Sequence, residues 1–205
     1  MAVLFTSDLH LGHANVIGYC NRPFDDVEAM DAALVRTWND HVDDDDTVWV
    51  LGDVAMGPIE HSLDLVARLA GTKLLVPGNH DRCWRHGRAA RRPGDLDRWR
   101  RRYRSAGFAE IVDDPHELTV AEVPVRLSHF PYDGDSHTAD RFVEHRPADD
   151  GTWLLHGHVH DAFRQRGRCI NVGVDAWGGR PVTADEIERL VVVGPAELAP
   201  LPWLS

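Results

Sequence analysis

Six short apolar runs recur along this chain, and five of them lead into groups that hold Asp, Asn or His. The runs are Ala2 to Thr6, Thr47 to Leu51, Lys73 to Val76, Val123 to Leu127, Thr152 to Leu155 and Cys169 to Val172. Each is too short for a helix and most are rich in β-branched residues, so they are predicted as buried strands. Between them lie helical patterns. One begins near Asp25 or Asp26, which can cap it, and aligns Val27, Met30, Leu34, Val35 and Trp38 on one face. A second follows Pro58 through Ile59, Leu63, Val66 and Leu69 to Gly71. A third is predicted from about Gly94 to Ala106, and a fourth starts at Thr183 with Glu186 as its capping-box partner. Strands alternating with helices predict an α/β architecture, and 205 residues suit one domain spanning residues 1–205.

The strand ends read Asp8-Leu9-His10, Gly52-Asp53, Gly78-Asn79-His80-Asp81, Ser128-His129 and His156-Gly157-His158-Val159-His160. In open α/β sheets the ligand crevice lies beyond the carboxyl ends of the strands, so these groups converge if their strands share a sheet. A single His or Asp at a strand end is ordinarily a cap or a hydrogen-bonded residue. Five such ends in one chain point to a metal centre. Asp8 and His10, two apart on extended backbone, can grip one ion together, and His158 and His160, across a bend, can serve two. Imidazole with carboxylate suits two divalent transition ions, manganese favoured, with iron, zinc, cobalt or nickel as alternatives. With Asp8 and Asp53 as its carboxylates such a centre stays cationic, attracts a phosphate anion, and lowers the pKa of water enough to make a hydroxide nucleophile at neutral pH.

Charge narrows the partners. The formal net charge of -11 opposes nonspecific attraction to nucleic acid or an anionic membrane. One segment runs the other way: Arg82 to Arg104 holds ten arginines against Asp95 and Asp97, with Trp84, Trp99 and Tyr103 interleaved. Planar guanidinium groups suit phosphate and stack on bases, so this stretch can hold a nucleotide or a nucleic-acid strand, or it is a salt-bridged surface helix. Asp43 to Asp46 reads as a solvated turn before a strand. Cys20, Cys83 and Cys169 form no Cys-x-x-Cys pair and are odd in number, which argues against a disulfide framework or thiolate zinc site. The opening residues carry no basic leader, and no apolar run approaches a membrane span, so a cytoplasmic protein is expected.

Taken in order, Asp8-Leu9-His10, Gly52-Asp53, Gly78-Asn79-His80-Asp81, His129 and Gly157-His158-Val159-His160 resemble the pattern of the calcineurin-like metallophosphoesterases. The opening Ser7-Asp8-Leu9-His10-Leu11-Gly12-His13 and the closing Ile170-Asn171-Val172-Gly173 look like a small bacterial and phage subgroup with no extra domain. The resemblance implies a four-layer αββα sandwich of two mixed β-sheets flanked by helices, with a dinuclear metal site at the strand ends. It implies Asp8, His10, Asp53 and His160 as ligands of the first metal, and Asp53, Asn79, His129 and His158 of the second, with Asp53 bridging. His80 would be the general acid and Asp81 its orienting partner. His13 and Arg22, near the first ligands in sequence, are expected to contact substrate. Asn15 is read as the cap of a short helix through Val16 and Ile17. His156, Asn171 and Asp175 are read as supports of the site, and His41, His61, His86, His116, His137 and His145 as surface.

The function expected is hydrolysis of phosphodiester bonds, with small or 2′,3′-cyclic nucleotides favoured because a chain without a cap domain leaves its site open. Phosphomonoesterase and nuclease activities are the enzyme alternatives. A noncatalytic interaction scaffold is the alternative of another class, disfavoured by the presence of His80 and every ligand.

Overall fold

The computed structural model describes residues 1–120, 122–136 and 139–204. His137 therefore lies outside the described residues. Eleven strands are present: β1 Val3–Thr6, β2 Thr47–Val50, β3 Thr72–Leu75, β4 Phe108–Ile111, β5 His116–Val120, β6 Val123–Leu127, β7 Trp153–His156, β8 Gln165–Gly167, β9 Cys169–Asn171, β10 Val182–Thr183 and β11 Ala196–Leu198. Five α-helices accompany them: α1 Ala14–Tyr19, α2 Val27–Asn39, α3 Ile59–Asp64, α4 Asp95–Ala106 and α5 Ala184–Val193.

The strands form two mixed sheets, one ordered β10-β1-β2-β3-β4 and the other β11-β8-β9-β7-β6-β5. In the first, β1 to β4 are parallel and β10 is antiparallel to β1. In the second, β6, β7 and β9 are parallel, and β5, β8 and β11 pair antiparallel. The strand cores agree with the sequence reading to within one or two residues. Strands β5, β8, β10 and β11 carry too few apolar residues to stand out from their flanks, and β4, Phe108-Ala109-Glu110-Ile111, directly follows α4; pairing with neighbours makes them strands.

Alternation along the central strands separates two cores. Leu4, Val48, Val50 and Leu75 face Met30, Leu34 and Trp38 of α2, Leu63 of α3 and Tyr103 of α4. Phe5, Leu51 and Val76 face the other way, against Val125, Leu127, Leu155 and Ile170 of the second sheet, with Ile187 of α5. Neighbouring residues such as Leu4 and Phe5 thus serve opposite faces, as a period of two requires. No helix among the described residues is long and apolar enough to cross a membrane.

Local signals act where the sequence puts them. The Asp26 carboxylate accepts the Ala29 N–H at 2.7 Å and starts α2. Thr183 and Glu186 close a reciprocal capping box on α5. The stretch after Pro58 departs from expectation: α3 ends at Asp64 and the chain tightens into a 3-10 turn over Leu65–Arg68 before Gly71. Asn15 lies inside α1, whose N-cap position is held by His13 without a side-chain cap.

Candidate metal centre

Strand order decides the layout of the site. Asp8, Asp53 and Asn79 follow β1, β2 and β3, so the order β1-β2-β3 puts Asp53 between the other two. His129 follows β6, next to β7, which leads into His158 and His160. A parallel bridge between Ser7 and Gly173 joins the two sheets at this end. The carboxyl ends of both parallel sets therefore open on one crevice.

The backbone there is held in an uncommon shape. Asp8, His10, Asp53, His158 and His160 all have φ between 50° and 73°, and they make up five of the eight non-glycine residues at positive φ among the described residues. Such conformations cost of order 1–3 kcal/mol each and persist only where surrounding structure imposes them. Here they turn the chain sharply off each strand and aim the side chains inward. The glycines before two ligands serve close approach: a Cβ on Gly52 would stand 2.5 Å from the Gly78 N, and one on Gly78 would meet the Asp53 carboxylate.

Donor atoms converge in two overlapping groups, Asp8 with His10 and His160, and Asp8 with Asp53 and His129, the atoms of each group within 4.8 Å of one another. Within the second group, Asp53 Oδ2 lies 3.5 Å from His129 Nε2, and it also lies 3.7 Å from His10 Nε2 of the first. His129 Nδ1 contacts the Leu51 carbonyl at 2.8 Å, which directs Nε2 toward Asn79 Oδ1 at 3.0 Å. In the neutral ring, two lone pairs meet there. Asp8 Oδ1 and His10 Nε2 are buried and have no hydrogen-bond partner among the described residues. A buried carboxylate oxygen without a hydrogen-bond partner is costly, and a cation would satisfy this donor set. The residues fit a pair of divalent ions.

Electrostatics divide the donors: His129 is opposed by burial but raised by the Asp53 and Asp8 carboxylates. Burial pushes Asp8 up, whereas Asp53, which burial alone would also raise, is held well below the usual carboxylate range by His129, His80 and His10. Burial keeps His10 neutral by pushing its pKa far down, and brings His158 to about 3. Neutral imidazole is the form that binds metal. His160 is opposed by burial but raised by its 2.9 Å contact from Nδ1 to Asp175, the carboxylate–histidine arrangement that orients a ligand ring. His158 Nε2 lies 3.3 Å from Asp135 Oδ2, so a second carboxylate borders the site on that side.

His80 stands at the rim with its side chain 39% exposed, its Nε2 3.9 Å from Asp53 Oδ2 and its backbone N–H donating to Asp53 Oδ1 at 2.9 Å. His13 packs beside His10, ring centroids 5.4 Å apart, and lines a cavity of about 340 Å³ together with His10, Asp53, His80, His158 and His160.

Two expected roles are corrected by geometry. Asp81 does not touch the His80 ring. Its Oδ2 accepts the N–H groups of Asp53 and Gly78, both at 2.8 Å, and its Oδ1 accepts from Val54 N–H and the Tyr103 hydroxyl. It ties the loop after β2 to the loop after β3. Arg22 does not face the cavity either. It is buried, forks onto Asp175 at 2.8 and 2.9 Å, and donates to the Asp8 and Leu9 carbonyls. With its donors spent on protein oxygens and the Met30 sulfur, it braces the Asp8 turn and, through Asp175, His160.

The arginine facing the cavity is Arg141, in the segment after His129, whose Nη2 donates to Asp135 at 2.8 Å. Neither Asp135 nor Arg141 belongs to a motif, and only their position in the cavity lining reveals them. Tyr103 is similar, an α4 residue that reaches Asp81. Asn171 bonds the carbonyls of His160 and Phe163, and His156 Nδ1 meets the Gly157 carbonyl, so both steady the His158 to His160 bend. His86 is exposed, as expected, and His145 is half-buried; their rings lie 4.5 Å apart in an aromatic group with Trp84.

The arginine-rich segment is in part a salt-bridged helix. Arg102 pairs with Glu60 and Asp64, Arg100 and Arg85 with Asp113, and Arg98 with Asp95, while Trp99 and Tyr103 are buried beneath.

Comparison with known proteins agrees with this architecture. The Calcineurin-like phosphoesterase superfamily domain matches residues 1–193. The Gene 66 protein of Mycobacterium phage L5 is 39% identical over 206 residues, covering 91% of this chain and 92% of its own. An uncharacterized protein of Methanocaldococcus jannaschii is 30% identical, covering 94% and 92%. Among solved structures, a protein of unknown function from Aquifex aeolicus shares the fold with a TM-score of 0.66 at 23% identity, covering 92% of this chain and 98% of that one. By the match of its sequence to the family over residues 1–193, this chain belongs to the calcineurin-like phosphoesterase superfamily.

Proposed function

We propose that this metal-dependent hydrolase cleaves phosphodiester bonds of small nucleotides, 2′,3′-cyclic ones favoured, with two manganese ions in a reducing, cytoplasmic setting. The observation that carries the reading is the overlap of two buried donor groups on Asp8, with Asp53 Oδ2 between His10 and His129. In this reading Asp8, His10, Asp53 and His160 hold one ion, and Asp53, Asn79, His129 and His158 the other. When bound, the ions supply Lewis acidity toward the phosphoryl oxygens and lower the pKa of water at the site. Three free, buried cysteines suit a compartment that keeps thiols reduced.

The chain's own residues do the rest. His13, beside His10, and Arg141, across the cavity, contact the phosphate or sugar, and the Arg141 fork is kept in orientation by Asp135. His80, at the rim and tethered to Asp53 through its backbone, delivers a proton to the leaving oxygen. The open crevice accepts substituents on both sides of a phosphate, which favours diesters over monoesters.

The experiment is hydrolysis of bis-p-nitrophenyl phosphate, p-nitrophenyl phosphate and adenosine 2′,3′-cyclic phosphate by protein loaded with manganese. Faster turnover of the two diesters supports the reading. A preference for the monoester replaces it with phosphomonoesterase activity, and inertness toward all three with every divalent transition ion supports a scaffold.

A further inference from the structure

A second cavity of about 380 Å³ lies on the other side of His80. His80 and Met56 line both cavities, so they form the ridge between them. The far walls of the second cavity include Arg82 and Arg88, and its floor is the loop after β2 at Ala55 to Gly57. Among the described residues Arg85, Arg98, Arg100 and Arg102 make ion pairs, while Arg82 and Arg88, like Arg91, Arg92, Arg101 and Arg104, make none; Arg82 and Arg88 are set apart by lining this cavity. In a chain of net charge -11, acids are plentiful enough to neutralise these two as well. Asp81, the acid in the same lining, has both carboxylate oxygens occupied by N–H and O–H donors.

Arg82 is also held in place. It is carried two residues after His80, its backbone N–H donates to the Tyr103 hydroxyl at 3.2 Å, and its guanidinium lies over the Trp99 ring at 5.8 Å. An arginine fixed at its backbone and stacked at its head loses little freedom on gripping an anion. Because a general acid must stand beside the oxygen that departs, the alcohol released under His80 is directed to His80's side of the site, where this cavity lies.

We infer that the cavity lined by Arg82 and Arg88 is an anion subsite for the leaving group, and that the substrate's leaving alcohol carries a second phosphate. The inference rests on the phosphodiesterase reading and deepens it: the preferred substrate is a nucleoside 2′,3′-cyclic phosphate that also bears a 5′-phosphate. The bond broken is the same. One of the two phosphorus–oxygen bonds to the sugar opens, water supplies the new oxygen and releases a proton to solvent, and His80 gives its proton to the sugar oxygen and regains one from solvent, while the second phosphate stays intact in the subsite.

The test is titration calorimetry of the manganese-loaded protein with two product analogues, adenosine 3′-monophosphate and adenosine 3′,5′-bisphosphate. The bisphosphate is expected to bind at least tenfold tighter, with the ratio falling toward one in the R82A/R88A double variant. R91A/R92A removes the same charge from the same segment without touching the cavity lining, and is expected to keep the ratio. A ratio near one in the parent protein, no binding of either nucleotide, or an equal fall in both double variants overturns the subsite. Bis-p-nitrophenyl phosphate hydrolysis by the same preparation separates this from failure of the phosphodiesterase reading, since that assay does not require the subsite.

Discussion

Oδ2 of Asp81 accepts the backbone N–H of Asp53 at 2.8 Å, so the residue after His80 holds the residue at the middle of the donor set. The same oxygen accepts the Gly78 N–H, and the other accepts Val54 N–H and the Tyr103 hydroxyl. In Asp81→Asn, one acceptor becomes an amide donor facing N–H or O–H donors. The expected outcome is a loss of about 2–4 kcal/mol in urea denaturation, from unsatisfied buried groups, with metal affinity weakened roughly 10–100-fold. Unchanged stability with altered activity alone would instead return Asp81 to a direct partnership with His80.

Asp53→Ala should strip both ions. Its Oδ2 lies between His10 and His129, and Asp53 and Asp8 are the two carboxylates among the proposed ligands. The fold should survive, because the hydrophobic cores on both faces of the first sheet do not include Asp53. Metal analysis after gel filtration reads the result, and two ions per chain in the variant would count against a bridging role.

Arg22→Ala leaves Asp175 buried without its cation, and truncating one partner of a buried pair costs about 3–5 kcal/mol. Metal content should fall as well, because Asp175 also orients His160. Denaturation midpoints and metal analysis test this together. A stable, fully loaded variant with a raised KM would restore the substrate contact that the sequence suggested.

His80→Ala separates proton delivery from binding. Protonating an alkoxide leaving group contributes roughly 10²–10⁴ in rate, whereas p-nitrophenolate departs unaided. Turnover of adenosine 2′,3′-cyclic phosphate should therefore fall far more than that of bis-p-nitrophenyl phosphate, with metal content near the parent's. Equal losses on both would make His80 a phosphate-binding or ligand-positioning residue.

Away from the site, Thr183→Ala opens the capping box on α5 and frees Glu186, which also pairs with Arg180 at 2.7 Å. A loss of about 1 kcal/mol is expected from thermal or urea unfolding, without change in metal content.

The residues that gather at the site were legible in the sequence because they depend on local rules. An apolar β-branched run makes a strand, and the residues just past a strand's end are free to face a ligand, so Asp8, Asp53, Asn79, His129 and His158 are legible as a set, though none is singly. Caps such as Asp26 and Thr183 act over three or four residues and were equally plain. What the sequence could not contain was adjacency between distant segments. The order β1-β2-β3 makes Asp53 central, and a different order would have put Asp8 or Asn79 there. Arg22 looked like a substrate contact because it is near Asp8 in the chain, yet Asp175, 153 residues away, takes its guanidinium. Asp81 looked like a partner of its neighbour His80, yet at the end of a strand, adjacent side chains diverge and its carboxylate turns back to the neighbouring loop. Sequence determined which groups reach the crevice; packing decided which charge each one meets, because electrostatic and hydrogen-bond partners are set by distances in space that two sheets and their loops fix together.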